Sequence, residues 1–158
     1  MQQQLVPNLW FENEALEAAE FYVSIFPDSK ILDVAHFTEA GPRPAGTVMS
    51  VEFELNGNRI VGINGGPEYT FSEAISFQVG CQDQAEVDRY WSELGEGGEP
   101  GPCGWLKDKF GLSWQIVPRR LVELLEDPDK DKAQRVMAAM LKMGKIEIDE
   151  LERAAAAA

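Results

Sequence analysis

The stretch Cys103-Gly-Trp-Leu-Lys-Asp-Lys-Phe-Gly-Leu-Ser-Trp-Gln-Ile-Val-Pro118 decides the fold. Two short runs, residues 103–107 and 112–117, flank a connection in which Asp108 and Gly111 supply turn chemistry, since glycine tolerates φ > 0. The pattern predicts a hairpin with a solvated Lys107-Asp108-Lys109 turn and with Cys103 packed in its first strand. Along the second run Leu112, Trp114 and Ile116 point one way and Ser113, Gln115 and Val117 the other, because side chains alternate across a strand. One face is apolar and belongs to a core. The other carries hydrogen-bonding groups.

The same split recurs upstream. In residues 47–55, Met49, Val51, Phe53 and Leu55 alternate with Val48, Ser50, Glu52 and Glu54. Asn56-Gly57 then predicts a hairpin turn of the primed type into a partner strand at 58–64. Residues 74–81 set Ile75, Phe77 and Val79 against Ser76, Gln78 and Gly80. A polar face repeated on several strands predicts the lining of a binding cavity. Residues 5–11 read as a strand with an unpaired side or a bulge at Pro7, which has no N–H to donate. Residues 31–37 read as another, followed by the loop Ala40-Gly-Pro-Arg-Pro-Ala-Gly46, a candidate mobile lid.

Helical periodicity fills the gaps. Asn13 reads as an N-cap ahead of an apolar stripe at Leu16, Ala19, Val23 and Phe26. Asp83 and Glu86 form a capping box before Val87, Tyr90, Trp91 and Leu94, and residues 95–102 read as a Gly- and Pro-rich loop. Beyond Pro118, short amphipathic helices are expected at 121–125, 133–143 and 146–153. Their methionines suit them to pack on their own sheet or to latch onto a second subunit.

The resulting order is strand, helix and three strands, then strand, helix and two strands, two similar halves in succession. It predicts an α+β domain of two paired βαβββ-type modules whose curled mixed sheet encloses a cleft. Residues 1–153 are read as one domain. Module one spans about 1–70, module two about 71–118, a helical extension 119–153, and residues 154–158 an alanine tail. The formal net charge of -13 repels phosphate backbones and anionic lipids, which argues against nucleic-acid and membrane partners. With no long apolar run and no leader pattern, a cytoplasmic protein is expected. Cys81 and Cys103 lack the spacing of a zinc site and are read as reduced thiols.

Several quoted segments together resemble a known family. Trp10-Phe11, Ala18-Ala-Glu-Phe-Tyr22, Phe26-Pro-Asp-Ser29, Asn64-Gly-Gly-Pro67, Asp88-Arg-Tyr-Trp91 and the Cys103 to Pro118 stretch are similar to the PhnB-like branch of the vicinal oxygen chelate superfamily. That branch is also labelled 3-demethylubiquinone-9 3-methyltransferase-like, and its superfamily includes the glyoxalase, bleomycin resistance and dioxygenase proteins. The resemblance implies the paired-module fold, commonly a homodimer, and a cleft for a small molecule. In metal-dependent members four His or Glu ligands occupy cleft positions. Carried over by strand parity, those positions fall on Pro7, Glu52, Ser76 and Gln115, of which only Glu52 is a good ligand. No tightly bound metal and no cofactor are therefore expected. The lone His36 lies on a strand that supplies no ligand. The Gly65-Gly66 pair is followed by a proline and an aromatic loop rather than a helix, unlike a turn built for S-adenosylmethionine.

Glu52 is the candidate catalytic residue. A carboxylate in a partly apolar cleft suits general-base work; the alternative is an ion pair with Arg59. Ser50, Ser76, Gln78, Ser113 and Gln115 are candidate ligand-binding residues that orient a small polar molecule, with Trp10 and Trp105 available to stack on it. Cys103 has no adjacent histidine to activate it. The reading is a binding protein for a small polar or aromatic molecule, the alternative an enzyme of the glyoxalase, dioxygenase or demethylubiquinone methyltransferase type that uses Glu52.

Overall fold

Val51, Phe53 and Leu55 alternate with half-buried Ser50, Glu52 and Glu54, and this alternation builds the first sheet. In the computed structural model, which describes residues 4–157, the chain divides into two compact units, up to Phe71 and from Ser72 onward. The first unit holds β1 (Asn8–Phe11), α1 (Ala15–Ile25), β2 (Lys30–His36), β3 (Val48–Leu55) and β4 (Asn58–Asn64). Its sheet runs β1-β4-β3-β2, with β1 parallel to β4 and the other pairs antiparallel. The β3–β4 turn places Asn56 at φ 49° and Gly57 at φ 76°, the two consecutive positive angles of a primed turn.

α1 covers one face of that sheet. Its buried residues are Ala15, Ala18, Ala19, Tyr22 and Ile25, so the stripe expected at Leu16 and Val23 is rotated by about one residue. The alanines win because the helix sits close to the strands: a Cβ on Gly62 of β4 would come within 3.3 Å of the Ala15 Cβ. The cap also differs from expectation. Glu14, not Asn13, occupies the N-cap position and its side chain makes no capping bond. Instead the Ala15 N–H donates to Oδ1 of buried Asn64 (2.9 Å), whose Nδ2 donates to the Val48 carbonyl (3.1 Å). A residue from the far end of the unit therefore satisfies an orphan helix donor.

The second unit repeats the connectivity with β5 (Ser76–Cys81), α2 (Gln84–Gly95), β6 (Glu99–Pro100), β7 (Trp105–Lys107) and β8 (Ser113–Pro118). Its order is β5-β8-β7-β6, again with the first strand parallel to the last. The Asp83 cap is present, its Oδ1 accepting from the Glu86 N–H (2.9 Å), while Glu86 Oε2 reaches one residue past the box, to the Gln82 N–H (2.7 Å). Val87, Tyr90 and Leu94 face the core. The 95–102 segment is not purely loop, because β6 pairs there with β7. Cys103 lies outside the strand expected for it, at φ 57°, because its N–H turns away to the Met143 carbonyl (2.8 Å).

The hairpin turn is the main correction to the sequence reading. Asp108 is 3% exposed rather than solvated. Its Oδ1 accepts from the Phe110 (2.8 Å) and Leu112 (3.1 Å) N–H groups, and its Oδ2 from the Trp114 indole N–H (2.9 Å). Gly111 takes φ 88° to close the turn. One carboxylate thus fixes the turn and the rotamer of the largest core side chain on β8.

The chain then folds back through α3 (Arg119–Leu125), α4 (Lys130–Met140) and α5 (Ile148–Ala156), so α5 extends into the terminal alanines. Leu121, Leu124, Val136, Met143, Ile146, Leu151 and Ala155 form one buried cluster, with Val117 of β8 packed against it. These helices pack on one another and on their own sheet. Among the described residues no helix is long and apolar enough to cross a membrane.

Replacing Asp108 by alanine leaves two backbone amides and an indole N–H without their charged acceptor, and should cost about 3 kcal/mol of unfolding free energy in urea denaturation. Asp108→Asn, which keeps one acceptor oxygen but turns a donor toward Trp114, should fall between wild type and the alanine variant.

Candidate functional site on the polar sheet faces

Strand register gathers the candidate residues on one face of each sheet. In the first unit Trp10 and Ser50 flank Ile63, while Glu52 pairs with Val61 on the same face. All three candidates are half-buried. Glu52 takes the second of its two readings: its Oε1 accepts from Arg59 Nη2 at 2.7 Å. About a third of each side chain remains exposed, 36% for Glu52 and 38% for Arg59, so the pair is modest in strength. The Arg59 Nε–H beside it is buried and has no acceptor among the described residues.

Trp10 is held as much as it is offered. Its indole N–H donates to the Gly66 carbonyl (2.9 Å), and Tyr69 meets its ring edge-on with centroids 4.9 Å apart. A Cβ at Gly65 would lie 2.3 Å from the indole, and Gly66 sits at φ 113°. The Asn64-Gly-Gly-Pro67 motif therefore seats a tryptophan. The loop read as a lid is tied down by Arg43, whose Nη1 donates to the Glu12 carbonyl (2.9 Å), and by the Gly46 N–H to the Phe37 carbonyl (2.9 Å).

The second unit collects more of the set. Ser76 pairs with Ser113, Gln78 with Gln115, and Trp105 with Gln115, so all five candidates share a face with Lys107, the cross-strand neighbour of Ser113. Gln115 Nε2 donates to Ser76 Oγ (2.8 Å). Lys107 Nζ pairs with Glu73 Oε1 at 2.5 Å, and this contact raises the lysine's pKa and lowers the glutamate's. Ser113 is 1% exposed, and its hydroxyl has no partner among the described residues. Lys107 and Glu73 were missed in the sequence reading, although the parity of residues 103–107 sets Lys107 beside Trp105 on this face.

A family model described as 3-demethylubiquinone-9 3-methyltransferase matches residues 3–117. Among solved structures, the PhnB protein from Bacillus cereus, whose name carries the same methyltransferase description, is 34% identical. That match covers 73% of this chain and 99% of the other, with a TM-score of 0.66. The chain is a PhnB-like member of the vicinal oxygen chelate superfamily. Protein PA1353 from Pseudomonas aeruginosa has a similar fold at 21% identity, with 74% and 98% coverage and a TM-score of 0.60. So does the fosfomycin resistance protein FosX from Mesorhizobium loti, at 13% identity, 80% and 99% coverage and a TM-score of 0.56. No curated protein matches the chain.

In this PhnB-like chain the four positions that would hold a divalent metal do not fit one. Pro7 has no side-chain donor, Glu52 is paired with Arg59, and Ser76 and Gln115 are weak neutral ligands bonded to each other. His36 is exposed on β2. Among the described residues no group of three or more His, Cys, Asp or Glu side chains is placed to hold an ion. Neither thiol stands out as a nucleophile, and burial pushes the Cys81 thiol up to about 12.

Two substitutions check this geometry. Gly65→Ala forces the indole off its seat and should lower stability by about 2 kcal/mol while shifting Trp fluorescence to the red. Glu52→Gln removes a half-exposed ion pair and should change unfolding free energy by less than about 1 kcal/mol.

Proposed function

We propose that this chain is a binding protein for a small polar or aromatic molecule, which it holds on its polar sheet faces without a tightly bound metal or other cofactor. The observation that carries the reading is the content of the second unit's face. Gln78, Gln115, Ser76, Ser113 and Trp105 stand side by side, a set of neutral hydrogen-bonding groups with one aromatic ring. Such a set orients a ligand but supplies no strong base or nucleophile. On the first unit's own sheet Trp10 and Ser50 share a face, and Glu52 there is occupied by Arg59. The protein is proposed to work as a homodimer in the cytoplasm, in keeping with what the family resemblance implies.

The test is elemental analysis of the purified protein, thermal melts with added Zn, Ni, Mn or Fe(II), and a small-molecule screen by the same melts. No stoichiometric metal, no metal-dependent shift, and a stabilisation by aromatic or carbonyl-bearing compounds that saturates with concentration are the expected results. A stoichiometric metal with a clear rise in melting temperature would return the chain to the metal-dependent enzymes of its superfamily. Should turnover of a hit be detected and vanish in Glu52→Gln with binding retained, Glu52 is the base and the binding reading fails.

A further inference from the structure

We infer that the polar face of β8 contains a subsite for an acceptor oxygen, in which the Ser113 hydroxyl, the Ser76 hydroxyl and the Lys107 ammonium grip one carbonyl or carboxylate group of the bound molecule. This deepens the binding reading above and rests on it.

The unpartnered Ser113 hydroxyl is the starting point. Burying a hydroxyl without a hydrogen bond is unfavourable, so its persistence at 1% exposure calls for an occupant. Its surroundings define the occupant's chemistry. Ser76 pairs with it on one flank and Lys107 on the other, on strands spaced at about 4.8 Å, so the three side chains form a row across one face with Ser113 as its floor. Ser76 Oγ already accepts from Gln115 Nε2, which leaves its own O–H free to donate. Lys107 has three N–H donors and spends one on Glu73. The row therefore presents donors and wants an acceptor.

Charge narrows the class further. Glu73 neutralises Lys107, and the chain carries a formal net charge of -13. A phosphate dianion entering this row would meet the Glu73 carboxylate, Glu99 opposite Lys107 and an unfavourable overall field; the same repulsion is weaker for a monoanionic carboxylate and absent for a neutral carbonyl. Trp105, one strand over and level with Gln115, supplies a flat surface for a ring attached to that group.

The experiment is a titration of the full-length protein followed by amide NMR, with benzoate, acetophenone and, as a control without an acceptor, toluene. Benzoate or acetophenone should shift the Ser76, Lys107 and Ser113 signals saturably, and toluene should not. Ser113→Ala should weaken that binding about tenfold, the loss of one hydrogen bond at a buried donor. It should leave the melting temperature of the free protein unchanged or raised, because it removes an unsatisfied group. Lys107→Met should weaken benzoate more than acetophenone. Binding unaffected by both substitutions would overturn the subsite, as would a marked loss of stability in ligand-free Ser113→Ala, which would show the hydroxyl serving the fold. Saturable shifts confined to residues of the first unit would overturn the subsite and leave the binding reading standing. If neither probe binds anywhere, the subsite fails and the wider screen decides the binding reading.

Discussion

A four-stranded sheet has two faces, and a βαβββ unit supplies one helix to cover them. In the first unit α1 takes the face made by Leu9, Phe11, Val51, Phe53 and Leu55, and in the second α2 takes the face made by Val79, Leu106, Trp114 and Ile116. Strand alternation then sets the other face, which mixes polar groups with apolar Val61 and Ile63 on the first sheet and with Val117 on the second. Ser50, Glu52, Ser76, Gln78 and Gln115 fall on that second face for this reason before any ligand is considered.

The two faces differ in what they hold ready. On the first sheet Glu52 is paired with Arg59, whose buried Nε–H has no acceptor among the described residues, and the tryptophan is bolted to a di-glycine seat. On the second sheet the groups are mostly neutral and one of them is unsatisfied. Recognition through oriented neutral dipoles suits a ligand with a few polar atoms and some apolar body.

Period-two patterns were readable in the sequence because they depend only on a residue's neighbours. Val51 and Phe53 against Ser50 and Glu52, the Asn56-Gly57 turn and the Asp83 cap all reappear in the structure for this reason. The features that were misread are those fixed by partners distant in the chain. Asn64 reaches Ala15 to cap α1, so Asn13 looked like the cap; Gly62 lets alanines approach, so Leu16 and Val23 looked like the core stripe. Asp108 between two lysines has the composition of a surface turn, and only the folded position of Trp114 turns it into a buried anchor. Among the candidate residues, parity grouped Ser50 with Glu52, Ser76 with Gln78 and Ser113 with Gln115 as the register does, but it could not choose between a free and a paired Glu52, nor reveal that Ser113 lacks a partner.

The parallel pairing of β1 with β4, and of β5 with β8, carries a consequence for synthesis. While the chain leaves the ribosome, Leu9 and Phe11 have no neighbour until Gly62 and Asn64 have also emerged, whereas β2, β3 and β4 can zip up locally. The N-terminal strand must therefore wait as an exposed apolar segment, and each unit is completed in one late, long-range closure. A short strand with Pro7 at its entrance is well suited to that delay, since proline blocks the continuous ladder through which two waiting chains would stick together.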